Sequence, residues 1–315
     1  MAGRPNDDLR SPSHGARDAV LARISSVPAI NKTARQAKLL WKRMFFWPLN
    51  ALRKPRLRKF GLALNASLPV ARLRLDADCG CSPSDHFAPL SWDAIKSFTR
   101  AGKRAPVARS LAPTATVLAL DQFASFDAWR AQVSRTTQGK YHRSANKARR
   151  LGYASRFVGE NAYARSLYEL TGSKPRRSKG VIVWAAIAGP RFDLVDTKES
   201  MLWPTCPRHW RINWGAFRTD EAGEERLSCF AMLVRSGDVI WVQQFIGHGA
   251  ALSDGVTKML MFDIMQWLLE RRDPCARGAR FLVHGSMEEG GVGLFDWKRY
   301  LGFRPMLLET LDRPR

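Results

Sequence analysis

Apolar and polar residues along the chain follow a regular pattern from about residue 114 onward. Residues 114–120, TATVLAL, form a short apolar run that predicts a β-strand. The stretch 125–153 has apolar residues at helical spacing behind a serine that can cap a helix, which predicts a helix with one glycine break. A short strand over 154–159 and a helix over 162–172 follow, so the pattern indicates an α/β domain.

The middle of the chain predicts a β-hairpin. A strand over 211–217 precedes two β-rich runs, 226–235 and 239–248, which are separated by the turn residues SGD. Both faces of the 226–235 run are largely apolar, a composition typical of a strand with neighbours on both sides. We therefore expect this strand to lie inside the sheet.

The C-terminal third alternates helices and strands. Apolar residues of the stretch 256–268 lie on one helical face, and Ser253 or Asp254 can cap the start of that helix. A further strand, helix and strand complete the order, over 279–285, 293–302 and 304–311. This order predicts a mixed, mostly antiparallel sheet flanked by helices, with one helix laid across it.

Charge and composition set the expected domain boundaries. The formal net charge is +23, and residues 1–60 alone hold 14 Lys or Arg against three acids. The first residues are rich in Pro, Gly, Ser and charge, which is typical of disorder. We predict a basic, partly disordered arm over 1–60, an irregular preamble over 61–113 and a folded domain over 114–315.

Two basic segments are candidates for anionic partners. Residues 31–60 mix aromatic and basic side chains, which suits a helix on a membrane surface, an arm that binds RNA, or a helix packed on the domain. Residues 134–156 contain seven Lys or Arg and no acid, with Arg143 and Lys147 on one helical side. That side suits the phosphates of RNA, of a cofactor or of lipid, or it is a solvated surface.

The cysteines favour a reducing compartment because five of them are scattered along the chain. Cys79 and Cys81 form a Cys-x-Cys pair near His86, but no second ligand pair at metal spacing follows, so we expect no metal. The start lacks the apolar length of a signal peptide, and the longest apolar run, 181–189, is too short to span a membrane. We expect a cytoplasmic protein whose basic segments, 31–60 and 134–156, leave two partners open: tRNA, or the inner face of the membrane.

Two junctions at strand ends carry candidate chemistry. The loop 245–255, FIGHGAALSDG, leads into a helix whose first N–H groups and dipole suit a pyrophosphate, although it matches no nucleotide fingerprint and many such loops bind nothing. His284 ends a predicted strand and can act as acid or base, as can Glu288 and Glu289 if desolvated. The alternative is a core histidine beside exposed glutamates.

Three segments together resemble GNAT-fold acyltransferases and, within them, the FemAB-like branch. They are the basic helix with its corner Arg149–Tyr153, the hairpin, and the C-terminal segment FLVHGSMEEGGVGLFDWKRYLGFRP. Within that last segment the resemblance rests on a strand ending at Gly285, on Trp297 before Lys298, and on the corner Leu301–Phe303. It covers about residues 114–315.

The resemblance implies transfer of an acyl group to an amine from a thioester, acyl-CoA or acyl-ACP, or from aminoacyl-tRNA. On that basis the loop after the hairpin holds the donor, and main-chain amides near its start polarise the carbonyl. His284, or Glu288 through water, takes the proton, while Lys298 contacts phosphates or an acceptor carboxylate. The implied donor-binding residues are Phe245, Ile246, Gly247, His248, Gly249, Ser253 and Gly255.

The sequence does not decide whether the acyl donor is a thioester or an aminoacyl-tRNA. The usual GNAT signature for binding a pyrophosphate is missing. Gln244 followed by FIGHG resembles that signature only in part. FemAB-like enzymes that use tRNA usually carry two tandem lobes, and residues 61–113 are too short for a second one, which favours a small thioester. Outside the enzymes, the alternative is a basic RNA- or membrane-binding module on the same scaffold.

Overall fold

The structure, a computed structural model, describes residues 68–76, 79–81, 115–159, 161–174, 193–286 and 292–312. These ranges hold eight β-strands and five α-helices. The strands are β1 Val70–Leu73, β2 Ala115–Ala119, β3 Ala154–Val158, β4 His209–Thr219, β5 Glu225–Ser236, β6 Val239–Gly247, β7 Phe281–Ser286 and β8 Arg304–Thr310. The helices are α1 Phe126–Thr137, α2 Lys140–Arg150, α3 Ala164–Gly172, α4 Val256–Glu270 and α5 Val292–Tyr300.

The eight strands form one sheet in the order β1-β8-β2-β7-β6-β5-β4-β3. The pairs β1–β8 and β6–β7 are parallel, and the other five neighbouring pairs are antiparallel. The predicted fold class, a mixed and mostly antiparallel sheet flanked by helices, is confirmed.

The β5 strand lies where its two apolar faces predict, between β4 and β6. Because side chains alternate along a strand, Ala231 and Leu233 join the core that α1, α2, α4 and α5 cover. Phe230 points to the opposite face and packs with Leu170 of α3. A sheet covered on both faces explains why its middle strands read as continuous apolar runs.

Helix α1 is fixed by its N-cap and by a buried tryptophan in its first half. The Ser125 side chain accepts a hydrogen bond from the Ala128 N–H at 3.2 Å, which confirms the predicted N-cap. Trp129 is fully buried, and its indole N–H donates to the Leu301 carbonyl at 3.0 Å. This bond ties α1 to the corner between α5 and β8.

Helix α4 begins at Val256, two residues later than a cap at Ser253 and one later than a cap at Asp254 would place it. Neither Ser253 nor Asp254 caps it, because both belong to a 3-10 turn over Ala250–Asp254, and Gly255 at φ +90° starts the helix. The Asp254 carboxylate instead accepts from the Tyr153 hydroxyl at 2.9 Å. The predicted cap is therefore wrong, since Asp254 bonds to a neighbouring element.

The preamble also departs from the prediction. Residues 61–113 were expected to be irregular, but Val70–Leu73 form the edge strand β1. Four residues are too few for a periodic signal, so pairing with β8 decides their conformation. Beyond β1 the chain meets the β5–β6 turn, where the Arg74 N–H donates to the Asp238 carboxylate and the Asp238 N–H donates to the Arg74 carbonyl, each at 2.9 Å.

Several predictions fall on residues outside the described ranges. They concern the arm over 1–60, the apolar run 181–189, His86, and the glutamates Glu288 and Glu289. Of the helices in the described ranges, none combines the length and the apolar character that crossing a membrane requires.

Candidate active site

The sheet opens between β6 and β7. These strands run parallel but pair only through Val239–Trp241 against Phe281–Val283, while β6 continues along β5 to Gly247. Gln243 is an extra residue on β6, because Met232 of β5 pairs with Gln244 and Leu233 pairs with Val242. The carboxyl ends of the two strands thus diverge at one edge of the sheet, a usual place for ligands in α/β folds.

Four aromatic rings meet at this opening. His284 on β7 and Phe245 on β6 have ring centroids 6.3 Å apart. Trp297 of α5 lies 5.5 Å from Phe245 and 5.6 Å from His284, and Phe303 lies 6.2 Å from His284. We name Phe245, His284, Trp297 and Phe303 the aromatic cluster. It holds the half-buried imidazole of His284, whose Nε2 is buried, at the edge of the opening. An imidazole is the side chain best suited to act as general acid or base near neutral pH.

Lys298 lies beneath the opening. It is 1% exposed, and its ammonium donates to the Ser286 carbonyl at 2.7 Å. This bond ties the last residue of β7 to α5, so the lysine positions the strand end that follows His284. A direct contact between Lys298 and a donor or acceptor stays a prediction.

The glycines of the loop 247–255 are needed mainly by the protein's own packing. A Cβ on Gly247 would lie 2.6 Å from Leu252, and a Cβ on Gly249 would lie 2.8 Å from the Ser173 carbonyl. The Gly249 N–H already donates to the Ser173 hydroxyl at 2.9 Å. A ligand at this loop would therefore meet fewer open backbone N–H groups than the sequence predicts.

Helix α2 brings basic groups to the same loop. The Lys147 ammonium donates to the Ser253 carbonyl at 3.1 Å and lies 3.5 Å from the Asp254 carboxylate, while Arg143 is exposed one turn away. Lys258 of α4 is half-buried, and burial, with the positive charge of Lys140 second, lowers the pKa of its amine. An anion bound here would raise the pKa of Lys258 again, because it would compensate for both burial and the charge of Lys140.

The segment 134–156 is less uniformly positive than its sequence indicates. Lys147, Arg149 and Arg156 form ion pairs with Asp254, Asp263 and Glu225. For the remaining basic residues of this segment, the described residues show no ion pair; they are Arg135, Lys140, Arg143 and Arg150. The acidic partners come from distant positions in the chain, so the local composition of 134–156 could not indicate that part of its positive charge is neutralised.

A thiol–imidazole group lies away from the opening. Cys79 and Cys81 approach Cys206 and His209, and the ligand atoms of all four lie within 4.8 Å of one another. From the sequence, only His86 lay near enough to suggest a further metal ligand beside Cys79 and Cys81. Cys206 and His209 were missed because they lie more than a hundred positions downstream. Their own spacing, Cys-x-x-His, was the signal available.

The predicted site residues form two groups in the structure. Phe245 and His284 face each other at the opening, and Lys147 meets Ser253 beside Gly255. Ile246 is half-buried at the end of β6, and the His248 N–H donates to the Ser228 carbonyl at 2.8 Å. Trp297 and Phe303 entered the sequence analysis only as motif residues and not as site residues, and Lys258 was missed; all three lie beside predicted site residues.

Comparisons with known proteins find likeness at the level of shape. No protein-family model matches the chain, and no curated protein matches it. Similar solved structures include FemX (TM-score 0.42, 8% identity, 61% of this chain and 58% of that one). They also include a tandem GNAT protein from the clavulanic acid biosynthesis pathway (TM-score 0.37, 14% identity, 65% and 56%). A third is a GCN5-related N-acetyltransferase from Kribbella flavida (TM-score 0.31, 11% identity, 62% and 55%).

The chain spans less than two thirds of each of these proteins. The fold class is the one that the sequence predicts, a mixed and mostly antiparallel sheet flanked by helices. With TM-scores below 0.5, the likeness is partial and carries nothing about activity. The function proposed below depends on this chain's own residues.

Proposed function

We propose that the chain is an N-acyltransferase that moves an acyl group from a thioester donor, acyl-CoA or acyl-ACP, to an amine. The observation that carries this proposal is the divergence of β6 from β7 after three residue pairs, with His284 at its edge. Among the described residues, none of β7 pairs with residues 242–246 of β6, and a strand edge of this kind presents N–H and C=O groups in a row. The amide groups of a phosphopantetheine arm can pair with such an edge as an added strand does.

The phosphates of the donor would lie toward α2 and α4. The chain passes from the end of β6 through the loop to the start of α4, where a helix dipole favours an anion. Lys258 and Arg143 supply positive charge near this point; burial lowers the pKa of Lys258, and a bound anion would raise it again. Side chains would therefore contribute more to phosphate binding than the backbone of the loop.

In the proposed reaction the amine nitrogen attacks the thioester carbonyl, and the C–S bond then breaks. His284, or Glu288 through water, takes the proton that the attacking amine loses, and the departing thiolate takes up a proton to leave as a thiol. Main-chain amides near Phe245 and Gly247 would stabilise the oxyanion. The aromatic cluster would exclude water from the thioester while the amine attacks.

The first test is a set of melting curves with acyl-CoA species, acyl-ACP and tRNA. Acyl-CoA or acyl-ACP should raise the melting temperature, because a ligand that binds only the folded state stabilises it. Stabilisation by tRNA alone would instead favour the aminoacyl-tRNA variant or the basic binding module. Both of these alternatives, in which the protein binds RNA, are supported by the basic residues of α2 that have no ion pair within the described ranges.

The second test is turnover after His284→Ala. We expect the fold to persist and turnover to fall at least about 100-fold, as for the loss of a general base. His142→Ala is the matched control, because His142 is also half-buried against an aromatic ring, Phe262, at 6.3 Å. Unchanged turnover in the His284 variant would remove this histidine from the mechanism.

A further inference from the structure

Four side chains from two distant segments converge at the end of the sheet opposite the opening. Cys79 and Cys81 follow β1, while Cys206 and His209 lie just before and at the start of β4. Cys206 and His209 are buried, and Cys79 and Cys81 are partly exposed. A partly exposed group of this kind gives an ion a path to enter.

Three separations within this group are those expected of a tetrahedral metal site, and all four ligand atoms lie within 4.8 Å of one another. The Cys79 and Cys206 sulfurs are 3.7 Å apart, and the His209 Nδ1 lies 3.5 Å from the Cys81 sulfur and 3.6 Å from the Cys206 sulfur. Zinc bonds of about 2.3 Å to sulfur and about 2.0 Å to nitrogen, at tetrahedral angles, place ligand atoms about 3.8 Å (S–S) and about 3.6 Å (S–N) apart. The three separations given above agree with these values.

The imidazole of His209 is oriented for a metal. Its Nε2 lies 2.8 Å from the Leu75 carbonyl, and because a carbonyl only accepts, Nε2 must carry the hydrogen. Nδ1 then presents its lone pair toward the sulfurs of Cys81 and Cys206. A backbone carbonyl that fixes the other ring nitrogen is the usual outer partner of a metal-bound histidine.

A disulfide does not account for the arrangement. A bond between Cys79 and Cys206 needs the two sulfurs about 2.05 Å apart and would use only two of the four groups. It would leave Cys81 and His209 with no reason to converge on the same point. A soft cation that takes three thiolates and one imidazole uses all four.

We propose that Cys79, Cys81, Cys206 and His209 bind one zinc ion in a structural Cys₃His site. The site joins the segment after β1 to the start of β4. The same segments are already held together by the ion pair between Arg208 and Asp76, at 3.0 Å. β1 and β4 belong to the two parts of the sheet on either side of the opening. The ion would therefore hold these parts together at the end of the sheet where β6 and β7 are still paired.

The first test measures metal in the full chain, purified under reducing conditions with neither chelator nor added metal. Elemental analysis should find about one zinc per chain, the stoichiometry of a single four-ligand site. Replacement by Co²⁺ should give the intense d–d bands of tetrahedral cobalt together with thiolate-to-cobalt charge transfer. Absence of zinc from the reduced protein, together with no tetrahedral cobalt spectrum, overturns the proposal.

The second test uses Cys81→Ser with Cys229→Ala as the matched control, since Cys229 is buried in β5 outside the group. Cys81→Ser should lose bound zinc and melt at a lower temperature, and a strong chelator should lower the melting temperature of the wild-type protein but not of this variant. The control should keep zinc and the response to chelator. Equal zinc in both variants, or a Cys79–Cys206 disulfide in protein prepared without oxygen, would contradict the assignment.

Discussion

At the scale of single residues, burial changes what a side chain can do. Lys298 was one of 51 basic residues in the sequence, and its type alone indicated contact with an anion. The structure buries it against the Ser286 carbonyl. A buried ammonium that bonds to the backbone acts first on the geometry of its neighbours, here the end of the strand that carries His284.

Lys298→Met should lower the free energy of unfolding by about 1–3 kcal/mol, because the chain volume is kept while a charge-assisted hydrogen bond is lost. Urea unfolding measures this change. Arg299→Met is the control, since Arg299 is exposed and its ion pair with Asp296 contributes less than about 1 kcal/mol. If Lys298→Met unfolds like the wild type but loses donor binding, the lysine contacts the donor directly.

Asp238 makes stability depend on pH. Burial raises the pKa of its carboxyl to about 6 from the ordinary 3.8. The folded state therefore holds the proton more tightly than the unfolded chain, so this group contributes most stability below about pH 4 and loses it as pH rises through about 6. Asp238→Asn keeps an acceptor for the Arg74 N–H without burying a charge.

We expect Asp238→Asn to be more stable than the wild type at pH 8, by on the order of 1 kcal/mol. The difference should shrink toward pH 4, where the wild-type carboxyl is protonated. Urea unfolding at several pH values measures it. Asp121→Asn is the matched control, because Asp121 contacts the same Arg280 from an exposed position. The same pH profile in both variants would show that burial of Asp238 is not the cause.

At the scale of elements, long periodic segments were predictable and short ones were not. The hairpin of β5 and β6 and the helix α4 follow directly from local pattern, since their apolar faces repeat over nine residues or more. β1 has four residues and depends on β8, which is more than 230 positions away. The aromatic cluster was predictable in part: His284 and Phe245 lie at strand ends, but Trp297 and Phe303 reach them only through tertiary packing.

Gly255 shows how closely α2 and α4 approach. A Cβ at this position would lie 2.2 Å from the Ser144 carbonyl, and its φ of +90° is unfavourable for other residues. Gly255→Ala should therefore destabilise the fold by about 2 kcal/mol or more. The change can be measured by thermal unfolding.

Gly293→Ala is the control for that substitution. A Cβ on Gly293, in α5, would meet no atom within 4 Å, and alanine favours a helix over glycine by up to about 1 kcal/mol. We expect this variant to melt at the same temperature as the wild type or slightly above it. Equal losses in both variants would mean that the contact with Ser144 is not what requires glycine at 255.

At the scale of the whole molecule, the charge of +23 favours anionic partners but does not say where they bind. Within the described ranges, the exposed side of α2 offers Arg143 and Arg150 without a paired acid. The double variant Arg143→Glu, Arg150→Glu should weaken binding to tRNA or to anionic vesicles at least about tenfold and reduce its salt dependence. Titrations at several salt concentrations measure both.

The double variant Arg72→Glu, Arg304→Glu gives the same change in net charge on a different surface, that of β1 and β8, although Arg72 differs from the α2 residues in pairing with Glu309. If α2 is the contact surface, this control should bind nearly as well as the wild type. Equal weakening by both double variants would mean that net charge, rather than the α2 surface, determines binding. Full binding by the α2 variant would transfer the role to other basic residues, including those of the arm over 1–60.

The three residue pairs that join β6 to β7 also bear on the order of folding. β4, β5 and β6 follow one another in the chain and pair in sequence, so their contacts close short loops at low entropic cost. β1, β2, β7 and β8 pair across separations of up to 237 positions and should assemble more slowly. We therefore expect the opening that holds His284 to be completed last, when a late-forming half of the sheet docks on an early one.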